Sequence, residues 1–432
     1  MVRLIGEIRD PVHGYIYITE AEKEIIDSRP LQRLRRIRQL SGAYFTYPGA
    51  DHSRFIHSLG AMHLAGLMGD RLKERGYIDE EDVQAIRIAS LLHDVGHGPF
   101  SHMYEDVLDK YRGMTHEDIT QWLIKESEIK DVLGKYGYSP EEMAKLAVGR
   151  LETDGKKFLS QVIASQFDVD IMDYLVRDSY FTGVEYGRID VSRLIRSIDV
   201  IDGMLAMDVA TLYALEAFII ARYEMFKAVY FHRSVRAAEI MPIRAMDYAN
   251  DALGFTSFKT PDDYLRLDDS SVIISLLSLE KAEDRRLRIA YELVKMYRNR
   301  QLLKCTYEMF SHHKSEFFTN IMSKSEIRNQ IAVEISKKAG VDSDYIIIDV
   351  PTASSVPYYP LQKHPSDIPI FQRLSDGSKE LQTLSKYSQL VNALIGYIDV
   401  VRVYTTAPFR DKVREATAEV FGKPPTSSKI SM

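Results

Sequence analysis

The segment Leu91–His102, LLHDVGHGPFSH, constrains the fold more than any other stretch of the chain. Its polar residues are His93, Asp94, His97 and His102. The preceding AIRIASLL carries apolar side chains at nearly helical spacing, and Gly96 and Pro99 end that pattern. We therefore predict His93 and Asp94 at the C-terminus of a buried helix, where side chains of other helices can reach them.

Two other mostly apolar segments predict buried helices that carry polar residues. SRFIHSLGAMHLAGL places His57 about one turn into a helix that Ser53 caps. SQVIASQFDVDIMDYLVRDSYF places Asp170, Tyr174 and Asp178 at positions i, i+4 and i+8. These three side chains are therefore expected on one face of their helix.

The type of secondary structure changes along the chain. Helical periodicity dominates the first 300 of 432 residues, and the strand-like DYIIIDVP and IDVVRVYTT follow, with a helical ELQTLSKYSQLVNALIG between them. The length exceeds one ordinary compact core, and the content of 45% hydrophobic and 27% charged residues is typical of globular proteins. We predict a mainly α fold, with a helical core over residues 1–310 and a smaller α+β C-terminal domain over residues 311–432. The tail GKPPTSSKISM is predicted to be mobile.

Charge and composition argue against several classes of protein. The formal net charge of −6 gives no long-range attraction for a polyanion, so nucleic-acid binding is not expected. No apolar run approaches the roughly 18 to 20 residues of a membrane-spanning helix, and the N-terminal residues lack the apolar centre of a secretory signal. The single cysteine, Cys305, excludes an intrachain disulfide framework. We expect a cytoplasmic protein that contacts no membrane.

The histidines are concentrated near the N-terminus, since eight of the twelve precede residue 117. Imidazoles combined with carboxylates suit Mn, Fe, Co, Ni or Zn better than Ca or Mg alone. The adjacent His93 and Asp94 supply two such ligands, and His57 and Asp170 can complete the set. A lone histidine more often has a hydrogen-bonded structural role. We assign that role to His13, His52 and His63.

The segment Arg29–Leu40, RPLQRLRRIRQL, holds five arginines in the ten residues that end at Arg38. Its apolar residues recur at helical spacing and are Leu31, Leu34, Ile37 and Leu40. The segment is predicted to be an amphipathic helix. Its basic face is either solvated or binds a small anion.

Several blocks of the sequence resemble one family, the HD-domain phosphohydrolases, and within it the dNTP triphosphohydrolases. The blocks are DPVHGYI, QRLRRIRQLSGAYFTYPGADHSRFIHSLG, LLHDVGHGPFSHMYE, THE and FDVDIMDYLVRDSYFTG, and they extend over roughly two thirds of the chain. The branch that they resemble carries a sterile alpha motif module, for which this sequence has no counterpart. The resemblance implies an HD-domain helical core that hydrolyses a dNTP to a deoxynucleoside and inorganic triphosphate.

The resemblance also implies which residues perform this reaction. It assigns a divalent metal to His57, His93, Asp94 and Asp170, and places Mg²⁺ with the triphosphate. The implied catalytic residues are His97, His102, His116 and Glu105. Among them, His97 would contact phosphate and His102 or His116 would protonate the leaving oxygen, because an alkoxide is a poor leaving group near neutral pH. Glu105 could orient the ring of His102.

The substrate pocket implied by the resemblance involves three kinds of contact. Arg54 and Arg222 match phosphate-binding arginines. Residues that match the lining of the sugar and phosphates are Gln39, Leu40, Tyr174 and Asp178. Tyr230 matches a residue that packs on the nucleotide. Two departures put base preference and affinity in doubt, because Ile171 replaces a phosphate-contacting lysine and Phe231 replaces a glutamine.

A regulatory site is implied as well. Residues that match a guanine-reading effector site are Asp27, Gln32 and Arg35, and residues that match its phosphate contacts are Arg193 and Arg298. The effector would be GTP or a dNTP, although Gly6 stands where the relatives use a lysine. The active form would then be a homo-oligomer, either a dimer or a tetramer.

Two alternatives stay open at this point. One is an HD phosphodiesterase or phosphatase that acts on another nucleotide, which the departures at Ile171 and Phe231 permit. The other is a nucleotide sensor that uses the fold without turnover. The complete set of four metal ligands and the pair of His102 and His116 favour an enzyme over a sensor.

Overall fold

Helices form most of the chain, which confirms the predicted mainly α class. The computed structural model describes residues 4–152, 155–313, 321–322, 324–354, 368–394 and 397–422, with the backbone alone at 311–313, 352–354 and 397–399. The tail predicted to be mobile lies outside these residues beyond Gly422. None of the described helices combines the length and the apolar content that a bilayer crossing requires.

The helices are numbered in chain order. Those before residue 200 are α1 Glu20–Asp27, α2 Arg29–Arg33, α3 Arg54–Glu74, α4 Glu80–Leu92, α5 His102–Arg112, α6 His116–Glu126, α7 Ile129–Lys135, α8 Pro140–Ala147, α9 Phe158–Ile163, α10 Val169–Thr182 and α11 Val191–Ser197. Those after it are α12 Leu212–Met225, α13 Arg233–Leu253, α14 Pro261–Leu265, α15 Asp269–Leu277, α16 Arg285–Arg298, α17 Ser325–Ala339, α18 Gln389–Leu394 and α19 Arg410–Phe421.

The strands form small sheets around this helical body. They are β1 Leu4–Asp10, β2 Gly14–Thr19, β3 Ile198–Ile201, β4 Met204–Asp208, β5 Lys304–His313, β6 Ile347–Asp349, β7 Thr352–Ser354, β8 Pro369–Arg373, β9 Lys379–Thr383 and β10 Tyr397–Thr405. β1 and β2 form an antiparallel hairpin, β10 pairs with β5, β6 and β7, and the order of the remaining sheet is β3-β4-β8-β9.

Helix α3 lies at the centre of the helical body and packs against both α4 and α10. Its buried residues include several small side chains, among them Gly60, Ala61 and Ala65, so neighbouring helices can approach closely. Ser53 occupies the N-cap position, as predicted, but its side chain makes no capping hydrogen bond. His57 is therefore held on a rigid element that faces the end of α4 and the start of α10.

The predicted helix over Arg29–Leu40 is wrong beyond Arg36. α2 ends at Arg33, one 3₁₀ turn follows, and the backbone at Ile37 is extended with φ −119° and ψ 114°. Tertiary hydrogen bonds replace the helical ones, because the Arg38 N–H donates to Asp269 Oδ2 at 3.1 Å and the Gln39 N–H donates to the His52 carbonyl at 3.0 Å.

The predicted helix before Asp170 is also interrupted. α9 ends at Ile163, and Asp168 caps the start of α10 by accepting hydrogen bonds from the N–H groups of Ser165 and Ile171, both at 2.8 Å. Aspartate competes for local backbone donors in this way and so favours helix starts over helix interiors. Asp170 consequently lies in the first turn of α10.

The C-terminal segment contributes to the same core as the helical body. The predicted helix ELQTLSKYSQLVNALIG is wrong at its start, because Lys379–Thr383 is strand β9 and only Gln389–Leu394 is helical. Through β8, β9 and α18, the apolar side chains of Ile370 and Val391 enter the main hydrophobic core. A separate cluster lies beneath β10 and includes Ile335 and Val413. The domain division at residue 310 stays a prediction.

Candidate active site

Four predicted metal ligands converge from three helices. His57 comes from α3, His93 and Asp94 follow α4, and Asp170 comes from the first turn of α10. His57 Nε2 lies 3.0 Å from Asp170 Oδ1 and 3.6 Å from Asp94 Oδ2. His93 Nε2 lies 3.2 Å from Asp94 Oδ1 and 3.7 Å from Asp170 Oδ1. The structure therefore brings together two imidazole nitrogens and two carboxylates.

The donor atoms of this group fit a divalent cation. The Nε2 atoms of His57 and His93 are buried and have no hydrogen-bond partner among the described residues. The opposite nitrogens are occupied, because His57 Nδ1 lies 2.8 Å from Asp173 Oδ2 and His93 Nδ1 lies 2.7 Å from the Ser90 carbonyl oxygen. Such partners hold the proton on Nδ1 and leave the lone pair of Nε2 for a metal. A buried nitrogen without a partner is costly, and a cation would remove that cost.

A buried network that the sequence did not predict supports His57. Asp173 is fully buried, and its carboxylate also contacts His13 Nε2 at 2.6 Å and Arg177 Nε at 2.8 Å. Arg177 in turn donates to Asp10 Oδ2 at 2.8 Å. The i, i+4 spacing of Asp173 and Arg177 was a visible signal, but the contact with α3 depends on Gly60, where a β-carbon would overlap the Asp173 carboxylate.

Electrostatics at this group favour positive charge. Burial lowers the pKa of His57, but Asp170 and Asp173 outweigh that effect and raise the pKa to about 10. Burial likewise raises the pKa of Asp94, but Arg54 and the neighbouring imidazoles hold that pKa well below its usual range. Carboxylates that stay ionised while buried are suitable ligands for a cation.

Beside these ligands lie three histidines, which we call the histidine cluster: His97, His102 and His116. The ring centroids of His97 and His116 are 4.0 Å apart and stacked, and His102 lies 4.6 Å from His97 and 5.4 Å from His116. His97 Nε2 is 3.2 Å from Asp94 Oδ1, so the cluster adjoins the metal ligands. His102 is exposed and begins α5, whereas His116 begins α6.

Glu105 has a different main partner from the one expected. Both of its carboxylate oxygens lie 3.0 Å from His116 Nδ1, and one also accepts the His116 N–H at 3.3 Å. His102 Nδ1 is farther away, at 3.5 Å. Glu105 thus contacts both histidines and lies closer to His116, because the N-terminus of α6 approaches it more closely than the His102 ring does. That Glu105 orients His102 stays a prediction.

The turn between α4 and α5 is strained and closely packed. A β-carbon on Gly96 would overlap the His116 carbonyl oxygen, so glycine lets α6 approach this turn. Phe100 and Ser101 have positive φ values of 61° and 60°, which cost energy for residues other than glycine. Asp269 Oδ1 accepts the Phe100 N–H at 2.7 Å and helps to hold this conformation.

Two family descriptions match the sequence. The HD domain matches residues 54–178. The HD associated region matches residues 189–431, and this match alone covers more than half of the chain. The chain belongs to the HD-domain phosphohydrolases. We refer to His57, His93, Asp94 and Asp170 below as the HD ligands.

Proteins with similar sequences and a similar solved structure support this family assignment. The chain is 32% identical over 409 residues to the uncharacterized protein YwfO of Bacillus subtilis, with 90% of this chain and 89% of that protein covered. It is 31% identical over 346 residues to the deoxynucleoside triphosphate triphosphohydrolase SAMHD1 of Homo sapiens, with 69% of this chain covered. That match spans only 54% of the length of the human protein. A phosphohydrolase of Bacteroides thetaiotaomicron has a solved structure with a TM-score of 0.71 and 26% identity, and 93% of this chain and 99% of that one are covered.

The expected phosphate-binding arginine Arg54 lies against an HD ligand. Its Nη1 donates to Asp94 Oδ2 at 2.5 Å and its Nε donates to Ser101 Oγ at 2.7 Å. The Ser101 hydroxyl donates to the Arg38 carbonyl oxygen at 2.6 Å. Arg54 thereby connects the HD ligands with the strained turn, a contact that sequence reasoning missed.

Two of the expected sugar-binding residues, Tyr174 and Asp178, lie on α10, the helix that carries Asp170. Asp178 Oδ1 is 2.8 Å from His52 Nε2, and Asp178 Oδ2 accepts the Tyr230 hydroxyl at 2.8 Å. The rings of Tyr174 and Tyr230 are 6.3 Å apart. Burial raises the pKa of Tyr174 against the pull of Arg222. His52, assigned a structural role from sequence, thus holds a candidate substrate residue.

Four further residues matter for substrate binding: the expected contacts Gln39 and Leu40, and the two departures Ile171 and Phe231. Gln39 has a buried side-chain oxygen without a hydrogen-bond partner among the described residues, and Leu40 packs against Ala43 and Val235. Ile171 is buried on α10. Phe231 packs against Val400 of β10, so this departure contacts the C-terminal segment.

The expected effector residues are only partly brought together. Gln32 Oε1 accepts Arg35 Nε at 2.9 Å, and Asp27 lies nearby at the end of α1. A cavity of about 310 Å³ beside them is lined by Arg29, Gln32, Arg36, Asp262, Leu265 and Arg266. Arg193 on α11 donates to the Ala210 carbonyl, and Arg298 ends α16. These two arginines belong to other elements of this chain.

Proposed function

We propose that this chain is a metal-dependent hydrolase that converts a dNTP to a deoxynucleoside and inorganic triphosphate. One observation carries the proposal: the buried Nε2 atoms of His57 and His93, which have no hydrogen-bond partner among the described residues, face the carboxylates of Asp94 and Asp170 beside the histidine cluster. The relative named as a deoxynucleoside triphosphate triphosphohydrolase supports the substrate class. The HD ligands would hold Mn, Fe, Co, Ni or Zn, and Mg²⁺ would accompany the triphosphate. The cytoplasmic location stays a prediction.

The residues of the site have separate tasks in this reaction. A bound divalent cation polarises phosphoryl oxygens and lowers the pKa of water. His97 binds a phosphate oxygen, and His102 or His116 protonates the departing 5′-oxygen. Glu105 holds His116 Nδ1 and so directs the other ring nitrogen of His116 away from itself, which supports His116 as the proton donor.

The substrate is held by residues on both sides of the HD ligands. Arg54 and Arg222 bind the triphosphate through their guanidinium groups, and Gln39 and Leu40 border the sugar. Tyr230 packs on the nucleotide and, together with His52, orients Asp178 toward the 3′-hydroxyl. Because the carboxylate of Asp178 already has two partners, its position is fixed before substrate binds.

A second candidate function concerns another nucleotide. Ile171 contributes no charge where the resembling enzymes use lysine, and Phe231 stands where they use glutamine. These observations favour a lower affinity for a deoxynucleoside triphosphate. An HD phosphodiesterase or phosphatase would use the same HD ligands and the same proton donors.

Regulation and assembly complete the proposal. Asp27, Gln32 and Arg35 bind a guanine base, supported by the contact between Gln32 and Arg35. Arg193 and Arg298 bind the effector phosphates. Since these arginines lie on other elements, a second copy of the chain can supply them, which agrees with an active dimer or tetramer.

The deciding experiment measures products. Purified protein with Mn²⁺ or Mg²⁺ is incubated with each dNTP, with and without GTP, and the products are separated. Deoxynucleoside plus triphosphate is expected. Monophosphate or diphosphate products would replace the proposal with the second candidate, and no turnover with any nucleotide would favour a sensor. A change in sedimentation on adding GTP tests the assembly.

A further inference from the structure

The histidine cluster has the composition of a metal site in its own right. Each of its members presents a ring nitrogen, and these nitrogens lie within 4.8 Å of one another. Three imidazoles are a ligand set that Zn²⁺ and other borderline divalent cations accept. We propose that His97, His102 and His116 form a second cation site, distinct from the HD ligands, for an imidazole-preferring divalent cation.

His97 supplies a donor atom that nothing else uses. Its side chain is 1% exposed, and its Nδ1 atom has no hydrogen-bond partner among the described residues. Its other nitrogen, Nε2, lies toward Asp94 Oδ1 at 3.2 Å. Nε2 therefore faces the HD ligands, and Nδ1 can bind a second ion. A cation there would satisfy a buried polar atom that otherwise costs stability.

Glu105 holds the other two histidines from behind. Its carboxylate contacts Nδ1 of His116 at 3.0 Å and Nδ1 of His102 at 3.5 Å. Metal-binding histidines commonly use one nitrogen for a carboxylate and the other for the ion, which fixes the ring and strengthens the ligand. The Nε2 atoms of both rings remain for coordination.

Binding requires a small rearrangement of the rings. His97 and His116 are stacked with an angle of 15° between their planes, so these rings must splay to share one ion. His102 is exposed, stands at 85° to His97 and lies 3.5 Å from Glu105, farther than His116 does, so its ring can adjust and an ion can enter past it.

The second site has a regulatory consequence, which rests on the proposed function. A nitrogen lone pair that coordinates a cation cannot hold the proton needed by the leaving oxygen. Filling the histidine cluster therefore inhibits hydrolysis, and excess Zn²⁺ is an inhibitor. Mg²⁺ is not, because it prefers oxygen ligands and keeps its waters.

The test counts bound metal and does not depend on turnover. Protein freed of metal with a chelator is titrated with Zn²⁺, and the bound metal is measured by mass spectrometry after gel filtration. The wild type is expected to bind two equivalents. The double variant His102→Ala/His116→Ala is expected to bind one, at the HD ligands. His63→Gln, which removes a histidine outside both sets, is expected to keep two.

Two further variants locate each equivalent. Asp170→Ala should lose the equivalent at the HD ligands, and Glu105→Gln should weaken the other by about 10- to 100-fold. One equivalent in the wild type, or two in the double variant, overturns the second site. Absence of dNTP hydrolysis would instead refute the proposed function and leave the stoichiometry standing, so the two failures are distinguishable.

Discussion

The HD ligands and the histidine cluster adjoin each other but are held in different ways. His57 and His93 lie on or directly after buried helices, and a separate acceptor fixes Nδ1 of each ring. His102 and His116 begin their helices and share the single carboxylate of Glu105. The first group is therefore arranged before any ligand binds, whereas the second keeps rings that can turn. Fixed geometry suits tight binding of the first cation, whereas rings that can turn suit proton transfer and bind a second cation only after they rearrange.

The largest effect that distinguishes the two groups is expected from Asp94→Ala. The variant should lose the metal at the HD ligands together with activity, because Asp94 contacts the imidazoles of both His57 and His93. It also leaves the buried Arg54 guanidinium without its carboxylate, which should lower the free energy of unfolding by about 3–5 kcal/mol. Metal analysis and denaturant unfolding measure the two effects. Asp94→Asn keeps the size of the side chain as a control, and retention of the metal at the HD ligands by both variants would remove Asp94 from the ligand set.

The next effect is expected from His116→Ala. Loss of a proton donor should lower kcat by about 10²- to 10⁴-fold, while the equivalent of metal at the HD ligands stays bound. Steady-state kinetics and metal analysis on the same sample check this separation. His63→Gln serves as the matched control, with both readouts unchanged. Loss of the metal at the HD ligands from the His116 variant would contradict the division into two groups.

The arrangement of the HD ligands was more predictable from the sequence than the contacts of the histidine cluster. The HD ligands were predictable because helical register and the adjacency of His93 and Asp94 are local properties, and the structure does bring all four together. The partner of Glu105 was not predictable, because it depends on how closely α6 approaches the strained turn. That approach is set by Gly96, whose importance is visible only once the neighbouring backbone is known.

The same limit explains the misjudged elements. The helical pattern continues to Leu40, but Asp269 and the His52 carbonyl accept the N–H groups of Arg38 and Gln39 from across the fold. Strand β8 pairs with β4 over a separation of more than 160 residues, from Met207 to Ile370. Long-range pairing of this kind leaves no periodic signal in the sequence. The sequence therefore did not reveal that part of the C-terminal segment packs into the main core.

A smaller effect is expected from Asp173→Asn, which tests the fixed geometry of the metal group. The amide cannot match the charge that Arg177 and the imidazoles contact, so the affinity for metal should fall by about 10- to 100-fold. Zn²⁺ competition with a chelating dye measures the affinity. Asp199→Asn is the matched control, since Asp199 is also fully buried and accepts from Tyr77 and Lys379 away from the site. Equal metal affinity in both variants would show that His57 needs no support.

The smallest effect is expected from Gly96→Ala, which tests how the histidine cluster is placed. The added β-carbon overlaps the His116 carbonyl oxygen and must push α6 away, which should cost about 1–3 kcal/mol of unfolding free energy. Activity should fall because His116 moves, whereas metal at the HD ligands should stay, since the atoms nearest to the added β-carbon belong to His116 and Thr120 of α6 and to none of the four ligands. Gly134→Ala is the control: Gly134 lies within α7 with nothing within 4 Å of an added β-carbon, so alanine should stabilise the chain by about 0.5–1 kcal/mol. Loss of metal from Gly96→Ala would mean that the two groups are one rigid unit, and the contrast between them would fail.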